Sequence, residues 1–112
     1  MHYKKQSFLT KTGILILLAL SLRPRHGYEI IKQVQEDTNG KVTLGVGSLY
    51  GTIKHLLDNG YVTEVESAAN TRRRYYDLTE SGRKILNFEL ANMSHTLEIA
   101  KARNLLTESV SR

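Results

Sequence analysis

The sequence contains no cysteine, no tryptophan and only one proline. Without cysteine, the chain forms no disulfide and offers no thiolate for zinc, for an iron–sulfur cluster or for thiol catalysis. It also lacks a nucleophile elbow and the paired carboxylates of an acid–base cleft. The histidines are too far apart for metal-ligand spacing, at His2, His26, His55 and His95. We therefore expect no enzyme, no metal and no cofactor.

Long hydrophobic segments are absent as well. The most apolar stretch, residues 14–20, is well below the roughly 18 residues that a membrane span needs. Lysines precede this stretch, and Ala19-Leu20-Ser21 at its end fits the small-x-small pattern of a cleavage site. A cleaved signal peptide is therefore an alternative. We favour a buried helix, because cleavage would remove the most apolar part of a small chain. We expect a cytoplasmic protein that does not bind a membrane.

What the sequence does contain is an excess of positive charge. Its 112 residues include 16 Lys and Arg against 11 Asp and Glu, which gives a net charge of +5. The length and the 40% hydrophobic content are typical of one globular domain with a small core. A basic balance favours a polyanionic partner, which is either nucleic acid or an anionic membrane surface.

The hydrophobic periodicity predicts three helices, a hairpin and a final helix. The helices are expected at residues 10–22, 26–38 and 45–59 and from residue 79 to beyond Leu106. A minimal strand is expected at residues 41–44, and a hairpin from 61–66 and 72–78 around a polar turn. In the second helix, Tyr28, Ile31 and Val34 form the apolar stripe, and we expect Tyr28 in the core or an interface. The predicted fold class is α+β, mostly α: a winged helix-turn-helix with a long C-terminal dimerisation helix.

The third predicted helix has one apolar face and an opposite face that is small, polar and partly basic. Such a face fits the major groove of duplex DNA, where bulky or acidic side chains would clash or repel. An arginine run in the hairpin that follows is suited to phosphate. The expected DNA-binding residues are Ser48, Tyr50, Gly51, Lys54, His55, Arg72, Arg73 and Arg74.

The last predicted helix carries an apolar stripe with heptad-like spacing. A single small domain has no need for a long helix with two apolar faces, so we expect the stripe to pair two chains. Asn104 would be a polar seam residue that selects register and oligomeric state, and the alternative is that the helix frays before Asn104. The expected dimerisation residues are Leu86, Leu90, Met93, Leu97, Ala100 and Asn104.

Four short motifs, in order and spacing, resemble the PadR family of bacterial transcriptional regulators. They are His26-Gly27-Tyr28-Glu29-Ile30, Gly47-Ser48-Leu49-Tyr50, Leu56-(x)3-Gly60-Tyr61-Val62 and Arg74-Tyr75-Tyr76-x-Leu78-Thr79-x-x-Gly82-Arg83. The resemblance implies a homodimeric winged-helix repressor that binds palindromic operators and is released by a small ligand or another signal. The length resembles the short PadR subfamily, with a DNA-binding domain at residues 1–82 and a dimerisation helix at 83–112.

The resemblance also assigns roles to single residues. Ser48 and Tyr50 match positions at the start of the recognition helix that meet phosphate or bases. His55 stands where many members have arginine, and Gly51 replaces a common proline. Some relatives bind a small aromatic effector between subunits, and here Phe88, Met93 and Leu97 would line such a pocket. The chain has no tryptophan to sandwich a ring, so a closed dimer seam is the alternative.

Two other functions stay open on the sequence. The first alternative is a winged-helix adaptor that binds protein, although the run Arg72 to Arg74 argues against this. A winged-helix module that binds RNA is the second alternative. A preference for duplex DNA over RNA at matched salt would exclude it.

Overall fold

The computed structural model describes residues 9–66 and 72–106 of the chain. Its helices are α1 (Lys11–Leu20), α2 (Gly27–Asp37), α3 (Val46–Asp58) and α4 (Glu80–Ala102). Its strands are β1 (Arg25–His26), β2 (Val62–Val65) and β3 (Tyr75–Leu78). They form one antiparallel sheet in the order β1-β3-β2. The predicted winged helix-turn-helix with a long last helix is confirmed, while the predicted polar turn at residues 67–71 lies outside the described residues.

The core is built around α1, which is apolar on nearly every side. Most of its side chains are buried, and together with residues of α2 and α3 they form one continuous cluster. The fully buried members include Ile16, Leu17, Leu20, Ile30 and Leu49. In the part of the chain that the structure describes, no helix combines the length and the apolar character that crossing a membrane requires.

The sheet contains β1 as its third strand. The prediction of a strand at residues 41–44 is wrong. That segment is an irregular connection between α2 and α3, from which Leu44 points into the core. In β1, Arg25 pairs with Tyr76 and His26 pairs with Tyr75. Arg25 is itself buried and donates from Nε to the carbonyl of Ala19, at 2.8 Å, near the end of α1. A two-residue strand has no alternating pattern, so the sequence carried no signal for it.

The last helix is shorter than predicted, because α4 ends at Ala102. Asn104 has a left-handed backbone, with φ of 61°, and the N–H of Leu105 donates to the carbonyl of Ala100 at 2.9 Å. This is the hydrogen-bond pattern that commonly terminates helices. The prediction that Asn104 extends the helical seam is therefore wrong, since Asn104 is the residue at which the helix stops.

The wing comprises β2, β3 and the residues between them. The start of α4 contacts the segment that leads into the wing. The Thr79 hydroxyl accepts from the N–H of Gly82 at 2.9 Å and donates to the carbonyl of Gly60 at 2.6 Å. Gly82 is packed so closely on the carbonyl of Tyr61 that a Cβ on Gly82 would overlap it. Only glycine fits this contact between α4 and the base of the wing.

We predict that Gly82→Ala lowers the free energy of unfolding by about 1–3 kcal/mol, because the added methyl forces the backbone apart. The matched control is Gly51→Ala in α3, where no atom lies within 4 Å of the new Cβ. That substitution should raise the free energy of unfolding by up to about 1 kcal/mol, the helix-propensity difference. Urea unfolding followed by circular dichroism measures both, and equal effects at the two glycines would contradict the close contact.

Candidate nucleic-acid interface

The α3 helix buries one face and presents a flat, polar face to solvent. Its buried residues are Leu49, Ile53 and Leu56. Its exposed residues include Ser48, Gly51, Lys54 and His55. The space around Gly47 and Gly51 is open, so the start of this face has no projecting side chain at two positions. A surface of this shape can approach the base edges in a major groove closely.

Two of the expected DNA-binding side chains have weak partners, one in α3 and one in the residue that follows it. Lys54 Nζ lies 3.1 Å from Asp58 Oδ2, and both side chains are mostly exposed. The Asn59 side-chain nitrogen lies 3.4 Å from His55 Nε2. Exposed contacts of this kind contribute little to stability in water, so Lys54 and His55 can exchange them for contacts with DNA.

The three arginines of the wing lie in the bend before β3 and not in the strand, where the sequence predicted them. All three are exposed. Arg74 Nε lies 3.8 Å from Glu64 Oε2 on β2. Arg73 reaches across to the start of α2, where its Nη1 lies 2.7 Å from His26 Nε2. The arginine run therefore faces the helices on the side where α3 begins.

His26 joins the wing to α2, and sequence reasoning did not identify it as a site residue. Its side chain is 11% exposed and packs edge-to-face on Tyr75, with ring centroids 5.3 Å apart. Its Nδ1 accepts from the backbone N–H of Glu29 at 3.4 Å, while its Nε2 faces Arg73. A neutral imidazole has one acceptor nitrogen, so His26 accepts from Glu29 or from Arg73 but not from both at once. The contact with Arg73 joins residues 47 positions apart and left no signal in the local pattern.

Glu29 completes a capping box at the start of α2. Its carboxylate accepts from the backbone N–H of His26 at 3.2 Å and from Arg23 Nη2 at 3.3 Å. Burial alone raises the pKa of Glu29. The hydrogen bonds from Arg23 and the His26 backbone, together with the positive charges of His26 and Arg23, outweigh burial and hold this pKa below its usual value.

A cavity of about 610 Å³, here named the wing cleft, lies between the start of α2, the start of α3 and the wing. Tyr50 leans across it, and its hydroxyl lies so close to Gly27 that a Cβ on Gly27 would overlap it. Tyr28 is 75% exposed at this cleft, so it does not lie in the core, where Ile30 is buried instead. The other half of the expectation, that Tyr28 lies in an interface, stays a prediction. The lining residues are His26, Gly27, Tyr28, Ile31, Val46, Leu49, Tyr50, Arg72, Arg73, Arg74 and Tyr76.

Tyr76 is the buried phenol among the residues that line the wing cleft. Only 3% of the residue is exposed, and its backbone pairs with Arg25 in the sheet. Burial raises the pKa of Tyr76, Tyr50 and Glu64 raise it further, and Arg74 opposes them. The phenol therefore stays neutral at physiological pH and adds no negative charge beside the arginines.

The residues expected to pair two chains have different environments along α4. Leu86 is 5% exposed and belongs to the chain's own core, and Leu90 is partly buried against that core. Met93 and Leu97 are each 48% exposed, and Ala100 is half-buried. The exposed part of the predicted stripe is therefore its second half.

Comparison with known proteins identifies the family. The model of the PadR-like family of transcriptional regulators matches residues 16–87, more than half of the chain. The chain belongs to this family. The motif-based prediction is thereby confirmed, and so is the prediction that the protein is not an enzyme, because PadR-like proteins are transcriptional regulators that bind DNA through a winged helix.

Solved structures are similar to this PadR-like chain over most of its length. A PadR family transcription regulator from Clostridium difficile has a TM-score of 0.72 and 25% identity, covering 83% of this chain and 97% of that one. A transcriptional regulator from Clostridium thermocellum has a TM-score of 0.70 and 26% identity, covering 80% and 89%. A putative transcriptional regulator from Thermoplasma acidophilum has a TM-score of 0.66 and 27% identity, covering 87% and 93%. No curated protein sequence matches the chain.

The lowered pKa of Glu29 predicts how the stability of this PadR-like protein depends on pH. A carboxyl whose pKa is lower in the folded state stabilises the fold above its unfolded pKa, and that stability is lost as the pH falls through the folded pKa. Glu29→Gln keeps a capping side chain but removes the charge. It should lower the free energy of unfolding by about 0.5–1 kcal/mol at pH 7.

Urea unfolding of the two proteins at neutral and at strongly acidic pH measures this difference. We expect the difference in the free energy of unfolding to disappear in acid, because the wild-type carboxyl is then protonated and uncharged, like the amide that replaces it. Glu36→Gln, on the exposed surface of the same helix, is the matched control. A difference between wild type and Glu29→Gln that persists in acid would show that the charge is not its cause.

Proposed function

We propose that this PadR-like regulator is a cytoplasmic homodimer that binds a palindromic DNA operator and represses transcription until a small molecule or another signal releases it. The observation that carries the proposal is the position of the wing arginines, which face the start of α3 across the wing cleft. In this arrangement α3 enters the major groove, and the wing binds the neighbouring backbone. The proposed contacts are those of Ser48, Tyr50, Gly51, Lys54, His55, Arg72, Arg73 and Arg74.

The two halves of this interface have different tasks. Arginines that neutralise phosphates supply affinity without reading sequence, and they make binding depend on salt. The side chains of α3 reach the base edges and supply specificity. The net charge of +5 supports the first task, and the short or absent side chains at Gly47, Ser48 and Gly51 support the second.

The second half of α4 supports pairing of two chains. Met93 and Leu97 in this half are each 48% exposed. A second copy of α4 would remove this apolar surface from water, which favours association. Pairing would also set the two α3 helices at the spacing of successive major grooves, about 34 Å.

The signal that releases the operator is part of the proposal. The effector pocket predicted from the sequence would be lined by Phe88, Met93 and Leu97. In the single chain these side chains are about half exposed, so a pocket there would need the second subunit to close it.

We predict that Arg73→Ala weakens binding to all duplex sequences alike. The slope of log K against log salt should fall by about 0.9 for each subunit, because one phosphate contact is lost. Lys54→Ala should instead change which sequence is preferred, by about 1–3 kcal/mol at the affected base pair. Fluorescence anisotropy with operator and scrambled duplexes, over a range of salt, measures both.

The control for these two variants is Lys101→Ala, which removes an exposed positive charge from the last turn of α4. It should change neither the salt slope nor the preferred sequence. If Lys101→Ala and Arg73→Ala had the same effect, net charge would explain the binding and the wing assignment would fail.

We predict that Leu97→Glu converts the dimer to a monomer, because two carboxylates would be buried in the seam without partners. Multi-angle light scattering after gel filtration should report the mass of one chain. His95→Glu, at an exposed position of the same helix, is the matched control and should remain dimeric. A dimer that survives Leu97→Glu would place the interface elsewhere.

Selection from a randomised duplex library at two salt concentrations tests the whole proposal against its alternatives. An enriched inverted repeat would support a dimeric operator-binding regulator. Salt-sensitive binding without an enriched sequence would contradict operator recognition. Tighter binding of RNA than of duplex DNA would favour the RNA-binding alternative, and absence of binding at low salt would favour the protein-binding adaptor.

A further inference from the structure

The His26 imidazole faces a hydrogen-bond donor at each of its two ring nitrogens. Arg73 Nη1 lies 2.7 Å from Nε2, and the backbone nitrogen of Glu29 lies 3.4 Å from Nδ1. A neutral imidazole carries a proton on one nitrogen and accepts at the other, so it can bond only one of these two donors. The shorter contact comes from the charged donor, and hydrogen bonds from charged donors are the stronger ones. The distances therefore favour the tautomer that carries its proton on Nδ1 and holds Arg73 at Nε2.

The His26 ring stays fixed in this tautomer, although Nδ1 no longer accepts from Glu29. The capping box keeps its second half, in which the Glu29 carboxylate accepts from the His26 backbone N–H at 3.2 Å. The His26 side chain is 11% exposed and packs edge-to-face on Tyr75, the residue with which His26 also pairs in the sheet. The ring is thus attached to α2 and to the wing at the same time. A side chain that is bound to its Nε2 takes a defined position in the wing cleft.

Arg73 gains from such a support because it is exposed and lies in the bend before β3. An unsupported arginine side chain has many rotamers, and ordering it on a phosphate costs conformational entropy. Among the residues that the structure describes, no carboxylate lies within ion-pair distance of Arg73, so its charge is not neutralised. The contact with His26 therefore orders the side chain before DNA arrives. The N–H groups of the guanidinium that do not face the imidazole stay available to a phosphate.

We propose that His26 is a positioning residue for DNA binding, which holds Arg73 through Nε2 in the orientation that binds a backbone phosphate. The proposal rests on the proposed function, because it names the residue that prepares one of the proposed phosphate contacts. His26 itself binds no phosphate in this arrangement. Its replacement therefore lowers the affinity for DNA without removing a charged contact from the interface.

Fluorescence anisotropy with duplex DNA over a range of salt tests this role, at a pH of about 8, where a histidine side chain is neutral. His26→Asn keeps an oxygen that caps helices well, but its side chain is too short to reach Arg73. We expect it to weaken binding to every duplex about fivefold, because Arg73 must then be ordered on binding. The slope of log K against log salt should not change, since Arg73 still neutralises its phosphate. His26→Gln is longer and offers an amide oxygen to Arg73, so its affinity should lie within about twofold of the wild-type value.

Double variants separate the positioning of Arg73 from a general effect on the fold. In an Arg73→Ala background, His26→Asn should not weaken DNA binding further, because no guanidinium is left to hold. Arg74→Ala is the matched control, since Arg74 faces the Glu64 carboxylate and not the imidazole. In that background His26→Asn should still weaken binding about fivefold. An equal loss in both backgrounds would show that His26 acts through the fold and would overturn the proposal, as would a salt slope that falls in His26→Asn.

Nitrogen-15 NMR of the histidine rings tests the tautomer without DNA, because protonated and unprotonated ring nitrogens have different chemical shifts. The His26 signals are assigned by their absence in His26→Gln. We expect the wild-type ring to carry its proton on Nδ1. In Arg73→Ala the proton should move to Nε2, since Glu29 is then the remaining one of the two donors and needs Nδ1 as its acceptor. Arg74→Ala should leave the proton on Nδ1, and a wild-type proton on Nε2 would contradict the proposal.

The anisotropy results also distinguish failure of this proposal from failure of the proposed function. If the wild type binds duplex DNA and His26→Asn binds it equally well, the positioning role fails and the proposed function stands. If the wild type binds no duplex DNA at low salt, both fail, because there is then no phosphate for Arg73 to bind.

Discussion

The attachment of the wing through β1 is the constraint on which the nucleic-acid interface depends. In the part of the chain that the structure describes, the sheet joins the segment before α2 to the wing through two backbone pairs, Arg25 with Tyr76 and His26 with Tyr75. So short a ladder is not stable by itself. The side chains of the same two residues reinforce it, since Arg25 donates to the end of α1 and His26 caps α2. The first two helices and the wing thus meet at one dipeptide, which sets the position of the arginines relative to α3.

Burial makes this junction specific as well as stable. Arg25 is 6% exposed, and a buried guanidinium without hydrogen bonds would be costly. Its bond to the Ala19 carbonyl meets part of this demand only when the strand has the observed register. A shift of one residue would turn Arg25 to the other side of the sheet and break its bond to the Ala19 carbonyl, so this bond supports the observed register.

The sequence predicted those elements whose signal is local and repeated. The apolar face of α3 and the nearly uniform apolar character of α1 span several turns, and both helices lie close to where they were expected. β1 has two residues and no period, so only the partner strand defines it. Asn104 continued the heptad spacing, but its left-handed backbone ends the helix, which spacing cannot reveal. Likewise, Tyr28 and Ile30 are both apolar residues of α2, and only packing decides that Ile30 is buried.

The environments of two neighbouring arginines explain why the wing can respond to an anion at all. Arg74 faces the Glu64 carboxylate at 3.8 Å, so an incoming anion must compete with an existing negative charge. Arg73 Nη1 lies 2.7 Å from His26 Nε2, and when Nε2 is the unprotonated nitrogen of a neutral imidazole this contact orders the Arg73 side chain without neutralising it. Part of the conformational entropy that Arg73 would lose on binding an anion is therefore already lost in the free protein. The electrostatic attraction between its guanidinium and the anion is still available. An anion that binds the wing, such as a DNA phosphate, therefore gains more from Arg73 than from Arg74.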